Sequence, residues 1–523
     1  MTHSKLKSMA YDNYKLNPLI EATRQFKIPD SCILVIFGAT GDLTARKLVP
    51  ALYNLASAGQ LPAHFACVGF ARRNKSHEDF RKEMHEAVCQ FSRTKPIDLN
   101  LWQSFSEKLF YHQSEFDNDE GYDSLKTFLE QLDNQFSTKG NRVYYLSTQP
   151  SFFTLITEKL NSHGLIYKTE DRKKWSRLII EKPFGHDLSS AKKLQNDLTH
   201  HMDESQIYRI DHYLGKETVQ NLLVFRFSNP IFESLWNNKH IDHVQITVSE
   251  DIGIGTRGHF FEEAGLLRDI VQNHMMQLIS LVAMEPPASL YANAIRDEKM
   301  KVMESIREFP AGHYDNAIIR GQYAAGMIDG EPVKGYCEEE NVDPQSTVET
   351  YVAMELKIDN WRWAGVPFFL RAGKRLPKRA TEISITFKEA PGFLFEKQAS
   401  KVDSNILVIR IQPDEGISLK MNCKVPGLSS QIQPVKMDFR YSTYFGSTPP
   451  EAYERLICDC MAGDSTLFAR ADEVLASWKL FTPILQHWQN IRPPSLPYYQ
   501  AGTWGPEEAD NLIEKTGRKW RLL

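Results

Sequence analysis

The stretch that decides the fold is "SCILVIFGATGDL", residues 31–43. It is an apolar run that ends in Gly38, which is typical of a buried strand. The residues that follow place leucines at helical spacing, and Gly59 is a suitable end for that helix. The pattern therefore predicts a strand, a tight glycine turn and a helix that is kinked near Pro50.

The same alternation continues to about residue 210. "FACVGFARR", "RVYYLS" and "RLIIE" read as strands, and "SHEDFRKEMHEAVCQF" and "SFFTLITEKLNSHG" read as helices, the first of them capped by its serine. Strands that alternate with helices form a parallel, doubly wound α/β sheet. We therefore expect a Rossmann-type domain over residues 31–210.

Beyond residue 210 the pattern changes. "DHVQITVSE" alternates apolar and polar residues, as in a strand with one wet face, and "VETYVAMELKIDNW", "EISITFKE" and "NILVIRIQP" repeat this pattern. These segments predict an α+β domain over residues 211–523, with a large, mainly antiparallel sheet. Residues 1–30 are expected to form a polar arm, and the tail from Arg492 onward is expected to be irregular.

Length and composition agree with two domains in one chain. The 523 residues exceed what one hydrophobic core normally supports. The net charge of −4 and the pI of about 6.5 give no general attraction for nucleic acid or for an anionic membrane. No apolar window reaches eighteen residues, and the N-terminus lacks the apolar core of a secretory signal.

The seven cysteines include no C-x-x-C pair. A sparse, odd number of thiols in a long chain is typical of a reducing compartment, and it indicates neither a disulfide framework nor a metal pair. We therefore expect a cytoplasmic protein without a bound metal.

The glycine turn is the first motif with chemical meaning. Gly38 and Gly41 lie between the first strand and its helix, where backbone N–H groups can approach a phosphate. The helix N-terminus adds positive potential. Because the spacing is Gly-x-x-Gly and not the full dinucleotide fingerprint, a plain strand-to-helix turn remains an alternative.

The end of the second strand indicates which dinucleotide binds. NAD sites usually place an acidic residue there to bind the ribose 2′-hydroxyl. Here Arg72 and Arg73 follow the strand, and Arg46 lies in the first helix. Guanidinium groups suit a 2′-phosphate, which favours NADP over NAD. The alternative is that these arginines are ordinary solvated charges.

"IIEKPFGHDL" places Lys182 directly after an apolar strand. The carboxyl ends of parallel strands are where such folds bind ligands, so this lysine could hold substrate hydroxyls or the nicotinamide ribose. The alternative is a surface lysine in a turn.

"YRIDHYLGKE", residues 208–217, lies at the change between the two patterns. Lys216 begins a helix, and its N-terminus together with His212 and Tyr213 would bind a phosphate. Ligand clefts also favour the junctions of domains. For Asp211 the simplest role is a salt bridge with Arg209.

"EEAGLLRDIVQNHMMQ" carries Asp269 and His274 in an otherwise apolar helix. Residues five apart lie about 140° apart around an α-helix, so the two side chains are expected to diverge. A single histidine in such a helix is more often structural than catalytic.

Together these motifs resemble those of the glucose-6-phosphate dehydrogenase family. The resemblance extends from about Ile33 to about Leu485 and rests on "GATGDLTARKL", "EKPFGHDL", "RIDHYLGKE", "LLRDIVQNH", "VPFFLRAGKRLPKR" and "AYERLICDCMAGDSTLF". "RIDHYLGKE" is highly specific, whereas related sugar oxidoreductases also carry "EKP". The resemblance implies oxidation of glucose 6-phosphate at C1 by NADP⁺, the first step of the oxidative pentose phosphate pathway, by a homodimer or homotetramer.

The resemblance also implies roles for individual residues. His274 matches the family's general base, and Asp211 matches the carboxylate that orients it. The residues that match the sugar and phosphate site are Lys182, His212, Tyr213, Lys216, Glu250, Asp269, Lys374, Arg379 and Gln412. The residues that match the coenzyme site are Gly38, Ala39, Thr40, Gly41, Asp42, Leu43, Arg46, Arg72, Tyr145 and Lys182.

Two positions depart from the family pattern. Bacterial relatives often have lysine where this chain has Arg379, and many have a proline after the residue that matches Glu250. Two other functions stay open. A different NADP-linked sugar oxidoreductase would need no phosphate clamp. An inactive NADPH-sensing protein should have lost Asp211, Lys182 or His274, yet the chain retains all three.

Overall fold

The computed structural model describes residues 29–168, 174–312, 314–391, 402–428, 431–446, 449–490 and 496–523. Most of the polar arm predicted for residues 1–30 therefore lies outside the described residues. The chain forms two compact units. Unit 1 contains the described residues up to Ser147 together with Lys159–Ile179 and Ile457–Asp464, and unit 2 contains Thr148–Glu158, Ile180–Leu456 and Ser465–Leu523.

Unit 1 is built around five strands, which are β1 (Cys32–Phe37), β2 (Phe65–Ala71), β3 (Leu109–Gln113), β4 (Arg142–Leu146) and β5 (Ser176–Ile180). Their order is β3-β2-β1-β4-β5, and β1 runs parallel to both β2 and β4. All residues of β1, β2 and β4 are buried, as expected for parallel strands that are covered on both faces. This is the doubly wound order, so the predicted Rossmann-type sheet is confirmed.

The helices along this part of the chain are Val49–Ser57, His77–Phe91, Leu99–Ser106, Asp119–Phe136 and Phe153–Ser162, with a π-helical segment at Thr44–Leu48 and a 3-10 turn at Pro150–Phe152. The predicted serine cap is confirmed, because Ser76 Oγ accepts a hydrogen bond from the Asp79 amide at 3.0 Å. Pro50 is the second residue of its helix, which directly follows the π-helical segment Thr44–Leu48, so the hydrogen-bond pattern changes just before this proline. The sequence analysis missed β3 and the helices on either side of it.

The strands of unit 2 are β6 (Ile207–Ile210), β7 (Ile241–Ser249), β8 (Ile318–Ala324), β9 (Gly326–Ile328), β10 (Glu331–Val333), β11 (Tyr351–Lys357), β12 (Pro367–Gly373), β13 (Ala380–Phe387), β14 (Ile406–Gln412), β15 (Gly416–Lys424), β16 (Ile432–Arg440), β17 (Phe468–Ala469) and β18 (Tyr498–Gln500). Nine of them form one sheet in the order β16-β15-β14-β13-β7-β12-β11-β8-β18. Only β7 with β12 and β8 with β18 pair in parallel within it. The prediction of a large, mainly antiparallel sheet is confirmed.

The wet face predicted for β7 is wrong. Val244 is buried, but so are His243, Gln245 and Thr247 on the other face. The C-terminal residues cover that face, since Gln245 donates to the Lys519 carbonyl and accepts from the Arg521 amide, both at 2.9 Å. A polar residue in a strand can therefore be buried when a later segment satisfies its hydrogen bonds.

The remaining helices are Leu188–His201, Glu217–Ser228, Pro230–Glu233, Gly258–Leu266, Met276–Ala283, Ala292–Ser305, Tyr314–Ala317, Tyr441–Phe445, Ala452–Ala462, Ala471–Asn490 and Glu507–Glu514, with 3-10 turns at Glu204–Gln206, Gly255–Arg257 and Tyr336–Glu338 and a π-helix at Leu267–Met275. The tail predicted to be irregular contains β18 and the last of these helices, so that prediction is wrong for residues 498–500 and 507–514. None of the helices within the described ranges has both the length and the apolarity required to cross a membrane.

Candidate active site

The centre of the site is a buried contact between His274 and Asp211. His274 Nδ1 and Asp211 Oδ1 are 2.6 Å apart, and both side chains are almost fully enclosed. A carboxylate that accepts from Nδ1 fixes the imidazole tautomer with its proton on that nitrogen, which leaves Nε2 as the acceptor. The structure thus pairs Asp211 with His274 and not with Arg209, whose guanidinium instead binds Glu204 at 2.7 Å.

Two aromatic rings hold the imidazole of His274 in place. The ring of Tyr213 is stacked on it with centroids 4.2 Å apart, and the ring of His212 meets it edge-on at 4.7 Å. The backbone turn that carries these residues is itself closed by Asp211, whose Oδ1 accepts the Tyr213 amide at 2.9 Å. One carboxylate therefore positions both the imidazole and the turn that packs against it.

Lys182 lies at the free nitrogen of this imidazole. Its ammonium is 2.9 Å from His274 Nε2. The ammonium also donates hydrogen bonds to two oxygens of Asp269, to Oδ1 at 2.9 Å and to the backbone carbonyl at 3.0 Å. An ammonium has only donors, so the imidazole nitrogen must be the acceptor in this contact. The site thus presents a proton acceptor and a cation side by side.

The π-helix explains why Asp269 and His274 reach the same lysine. In a π-helix the hydrogen bonds run from residue i to i+5, so residues five apart lie one turn apart on the same face. The two residues fall within Leu267–Met275, which has this geometry. The divergence of about 140° expected for an α-helix is therefore wrong for this pair.

A buried acid anchors the start of the π-helix. Glu349 Oε1 accepts the Leu267 amide at 3.0 Å, and the Glu349 carbonyl accepts the Leu266 amide at 3.1 Å. The preceding residue, Gly265, has φ of 66° and lies against the same carboxylate, where a side chain would collide. Such π segments are frequent at functional sites.

A second group of polar side chains surrounds the start of the helix Glu217–Ser228. The Lys216 ammonium donates to Gln412 Oε1 and lies 5.1 Å from the Tyr213 ring. Gln412 Nε2 donates to Thr381 Oγ1 at 3.0 Å, and the Tyr213 hydroxyl lies 3.4 Å from the same oxygen. The phosphate residues predicted from two distant segments are therefore brought together, with Thr381 as a link that the sequence analysis missed.

Arg379 is exposed and lines a cavity of about 420 Å³ that Gln412 also lines. The walls of this cavity carry more basic than acidic side chains, with Lys378 and Arg410 among them. The pattern gives local positive charge to a chain whose net charge is negative. An anion site on this chain would therefore depend on such a local group of cations.

Glu250 and Lys374 form a further pair. The Lys374 ammonium donates to Glu250 Oε2, lies 5.3 Å from the centre of the Phe261 ring and is itself buried. Its charge also lowers the pKa of Asp269, so the pair and the Lys182 cluster belong to one network.

Burial and charge act against each other in this network. Burial would raise the pKa of Asp211, but the neighbouring His274, through its charge and hydrogen bond, holds that pKa well below its usual value. Burial lowers the pKa of His274, Asp211 raises it and Lys182 lowers it, with a net shift downward. At neutral pH the carboxyl is thus ionised and the imidazole is neutral, which is the form that can take up a proton.

The sequence analysis predicted no metal. The ligand atoms of Asp211, His212 and His274 lie within 4.8 Å of one another, which is close enough for a metal ion. Asp211 Oδ1 is engaged by His274, however, and the ammonium of Lys182 faces Nε2. The absence of a metal stays a prediction.

In unit 1, the residues that match the coenzyme site follow β1. Gly38 has φ of 84°, and a Cβ on Gly41 would lie 3.1 Å from the Gly38 carbonyl oxygen, so the turn is tight. Gly38 and Ala39 both donate their amides to the Phe70 carbonyl, at 2.9 and 3.3 Å. The turn therefore lies at the carboxyl edge of β1 and β2, where doubly wound folds bind nucleotides.

The other coenzyme residues lie around this turn with different exposure. Thr40 is half-buried, Asp42 is exposed and forms an ion pair with Arg46 at 3.1 Å, and Leu43 opens the following helix. Arg72 is exposed after the last residue of β2, and Tyr145 is fully buried in β4. Exposed guanidinium groups beside a glycine turn fit a phosphorylated ribose.

Comparison with known proteins shows the family to which the chain belongs. The family model for the glucose-6-phosphate dehydrogenase NAD binding domain matches residues 35–221, and the model for the C-terminal domain of the same family matches residues 223–521. The two models together cover nearly all of the chain.

Individual relatives agree with the family models. The glucose-6-phosphate 1-dehydrogenase of Chlamydia pneumoniae is 59% identical over 94% of this chain and 96% of its own length. That of Bacillus subtilis is 45% identical over 93% of this chain and 98% of its own length. A solved glucose-6-phosphate dehydrogenase in complex with its substrate glucose-6-phosphate has a TM-score of 0.86 and 37% identity, covering 95% of this chain and all of that one. The chain therefore belongs to the glucose-6-phosphate dehydrogenase family.

Proposed function

We propose that the protein oxidises D-glucose 6-phosphate at C1 to 6-phospho-D-glucono-1,5-lactone and reduces NADP⁺ to NADPH. The observation that carries this proposal is the buried Asp211–His274 pair, whose free Nε2 lies 2.9 Å from the Lys182 ammonium. An alcohol can be oxidised by hydride transfer only if its hydroxyl proton is also removed, and this pair supplies the acceptor. The same reaction opens the oxidative branch of the pentose phosphate pathway.

His274 acts as the general base. Its Nε2 takes the proton of the C1 hydroxyl while the bond between C1 and that oxygen becomes a carbonyl. Asp211 keeps Nε2 free by holding the proton on Nδ1 and stabilises the imidazolium that forms. Lys182, which donates to Nε2 in the structure, is placed to donate to the reacting oxygen instead once the substrate is bound. When NADP⁺ is bound, its nicotinamide would supply the acceptor for the hydride that leaves C1.

His212, Tyr213 and Lys216 hold the 6-phosphate at the start of the helix Glu217–Ser228. This proposal is supported by the charge of Lys216, by the polar link from Gln412 through Thr381 to Tyr213 and by the helix N-terminus itself. A dianion can replace the Lys216–Gln412 contact with charge-assisted hydrogen bonds, which are stronger. Arg379, at the cavity beside Gln412, adds a further cation.

Asp269, Glu250 and Lys374 hold the sugar hydroxyls. Carboxylates accept from hydroxyl groups and ammonium groups donate to them, so one charged pair can bind both ends of a diol. The support for these roles is the shared network with Lys182 and the match to the family motifs.

The coenzyme binds at the glycine turn of unit 1 through Gly38, Ala39, Thr40, Gly41, Asp42 and Leu43. The left-handed φ of Gly38 and the close contact at Gly41 make this turn tight, so that a pyrophosphate would lie against the start of the helix that follows it. Arg72 and Arg46 select the 2′-phosphate of NADP. Tyr145 completes the part of the proposed coenzyme site that lies in unit 1, and Lys182 matches a further coenzyme residue of the family.

We further propose that the protein is cytoplasmic and forms a homodimer or homotetramer. All seven cysteines are free, which suits a reducing compartment. Strand β16 lies at the edge of the nine-stranded sheet and exposes Val435 and Met437, and an uncovered apolar edge strand is a surface that pairing would protect. The boundary proposed between the two domains, near residue 210, lies close to the junction of the two family models at residues 221–223.

The test is an initial-rate assay of coenzyme reduction, with glucose 6-phosphate compared with glucose and NADP⁺ compared with NAD⁺. We expect fast reduction only with the phosphorylated sugar, and a preference for NADP⁺. Equal rates with unphosphorylated glucose would instead favour a broader sugar oxidoreductase. Tight NADPH binding without turnover of any pair would favour a regulatory protein.

A further inference from the structure

A small cavity lies beside Asp211, and both polar and apolar side chains line it. It has a volume of about 10 Å³, and its polar lining includes Asp211, Gln272, Gln277, Glu473 and Ser477, while Phe184, Ala469 and Val474 form its apolar part. One water molecule needs roughly 10–15 Å³, so the cavity holds one at most. A site of this kind keeps a water only if several polar atoms face it.

Three acceptor atoms of the residues lining this cavity have no hydrogen-bond partner among the described residues, and all three are fully buried. They are Asp211 Oδ2, Gln277 Oε1 and Glu473 Oε1. Leaving such atoms without a donor is destabilising, most of all for charged groups. All three accept and none of them donates, so the missing partner is a donor.

Glu473 is held rigidly on the far wall of this cavity. Its Oε2 accepts from the Lys299 ammonium at 2.8 Å and from Gln277 Nε2 at 3.2 Å, and Lys299 and Glu473 are both almost completely buried. The helix that carries Glu473 is fixed to the π-helix by Ser477, whose hydroxyl donates to the Gln272 carbonyl at 2.6 Å. The second oxygen of Glu473 is therefore presented at a constant position.

We propose that one buried water molecule donates to both Asp211 Oδ2 and Glu473 Oε1, and that Glu473 is thereby a positioning residue for the Asp211–His274 pair. A water has two hydrogens, and two carboxylate oxygens are the strongest acceptors available to it here. The bridge fixes the plane of the Asp211 carboxylate, while Lys299 neutralises the charge of Glu473. This proposal rests on the proposed function, since it concerns the same general base.

The bridge also links the charge of Glu473 to the general base, His274. Removal of the Glu473 charge leaves the Lys299 cation uncompensated, and both changes disfavour an imidazolium at His274. The other charged or titratable groups, which stay unchanged, are Lys182, His212, Lys216, Asp269 and Tyr453 around the pair, and Arg296 near Glu473. A base with a less stable conjugate acid is protonated at lower pH and takes up protons less readily.

The kinetic test is Glu473→Gln, with Glu233→Gln as a matched control. Glu233 also pairs with a fully buried cation, Arg226, at 3.2 Å, but it has no place in the proposed site. In Glu473→Gln we expect kcat with glucose 6-phosphate to fall about tenfold, as for other lost outer partners of an imidazole. The acid limb of the kcat profile should move down by on the order of 0.5 pH unit, while KM for NADP⁺ stays constant.

The control should keep the wild-type pH profile even if its thermal stability falls. A Glu473→Gln enzyme that is folded and has an unshifted acid limb would overturn the proposal, because a purely structural role lowers the amount of active enzyme without moving a pH midpoint. A wild-type protein that does not turn over glucose 6-phosphate would overturn the proposed function instead.

The structural test does not depend on activity or on the variant. A high-resolution crystal structure of the wild-type protein should show one ordered water within hydrogen-bond distance of Asp211 Oδ2 and Glu473 Oε1. A cavity without a water molecule would refute the bridge. This result would hold even if the Glu473→Gln variant did not fold.

Discussion

The glycine turn of unit 1 and the imidazole cluster of unit 2 are assembled over very different distances along the chain. The turn consists of six consecutive residues, 38–43, whose conformation follows from two glycines and the strand before them. His274, in contrast, meets an aspartate 63 positions away and a lysine 92 positions away. A local motif carries its conformation with it, whereas a cluster of this kind exists only when the domain is folded.

The two regions also differ in whether their charged side chains are bonded to protein groups before a ligand binds. Arg72 is exposed and Arg46 shares one exposed ion pair with Asp42, a contact that is worth little. Lys182, Lys216 and Lys374 are all engaged with carboxylates, an imidazole or an amide. Substitutions in the cluster should therefore disturb neighbours as well as the ligand, and substitutions at the arginines should affect the ligand alone.

The largest effect is expected for His274→Ala. Loss of the general base should reduce kcat by about 10²- to 10⁴-fold, while NADPH binding measured by fluorescence persists. The matched control is His243→Ala, because His243 is also buried and bonded to an aspartate, Asp242, at 2.6 Å. Turnover close to normal in His274→Ala would disprove the assignment of the base.

Asp211→Asn should reduce kcat by about 10²-fold, since an amide can no longer hold the imidazole in one tautomer or stabilise its cation. Asp211 raises the pKa of His274, so its loss lowers that pKa further below the ordinary value. The base acts when deprotonated, and the acid limb of the rate profile should therefore move to lower pH. The comparison is with Asp242→Asn, and an acid limb that moves upward would contradict the pairing.

Lys216→Ala should raise KM for glucose 6-phosphate by about 10- to 10²-fold, the equivalent of one lost charge-assisted hydrogen bond of ~1.5–3 kcal/mol. Activity on glucose, if measurable, should not change. Lys420→Ala serves as the control, because Lys420 forms an ion pair with Asp403 at 2.6 Å on β15. An unchanged KM would remove the phosphate clamp and favour a different sugar oxidoreductase.

The smallest effect is expected for Arg72→Ala, which should raise KM for NADP⁺ about tenfold, the equivalent of ~1.4 kcal/mol, and leave KM for NAD⁺ unchanged. The neighbouring Arg73→Ala provides the comparison, since both side chains are exposed. Thermal stability should stay at the wild-type value in both variants, because neither side chain is buried. A parallel rise of both coenzyme KM values would show that Arg72 does not distinguish the 2′-phosphate.

Sequence reasoning predicted the elements whose signals are local. The buried run of β1, the serine cap at Ser76 and the helix that begins after Lys216 each follow from a few adjacent residues, and the structure confirms all three. It failed where another part of the chain changes the outcome. The polar face of β7 is buried because the C-terminal residues bond to Gln245, and nothing in "DHVQITVSE" indicates that contact.

In the candidate site, too, some features follow from adjacent residues and others depend on distant parts of the chain. "RIDHYLGKE" marks a dense group of charges whose residue types indicate an anion site, whereas the base was implied only by the resemblance to the family. Which partner Asp211 takes was not predictable, because Arg209 is near in sequence whereas His274 is near only in space. Likewise Glu473 and Lys299 lie within helices where a charged residue usually faces solvent, and only packing reveals that both are buried.

The sequence by itself determined the alternation of strands and helices in the first part, the mainly antiparallel character of the second and the residue types that a phosphorylated sugar and a coenzyme require. These follow from periodicity and from short motifs, which act over a few residues. The tertiary structure alone decided that Leu267–Met275 is a π-helix. Since that geometry places residues five apart on one face, Asp269 and His274 can both reach Lys182, and an imidazole in an apolar helix can serve as a base.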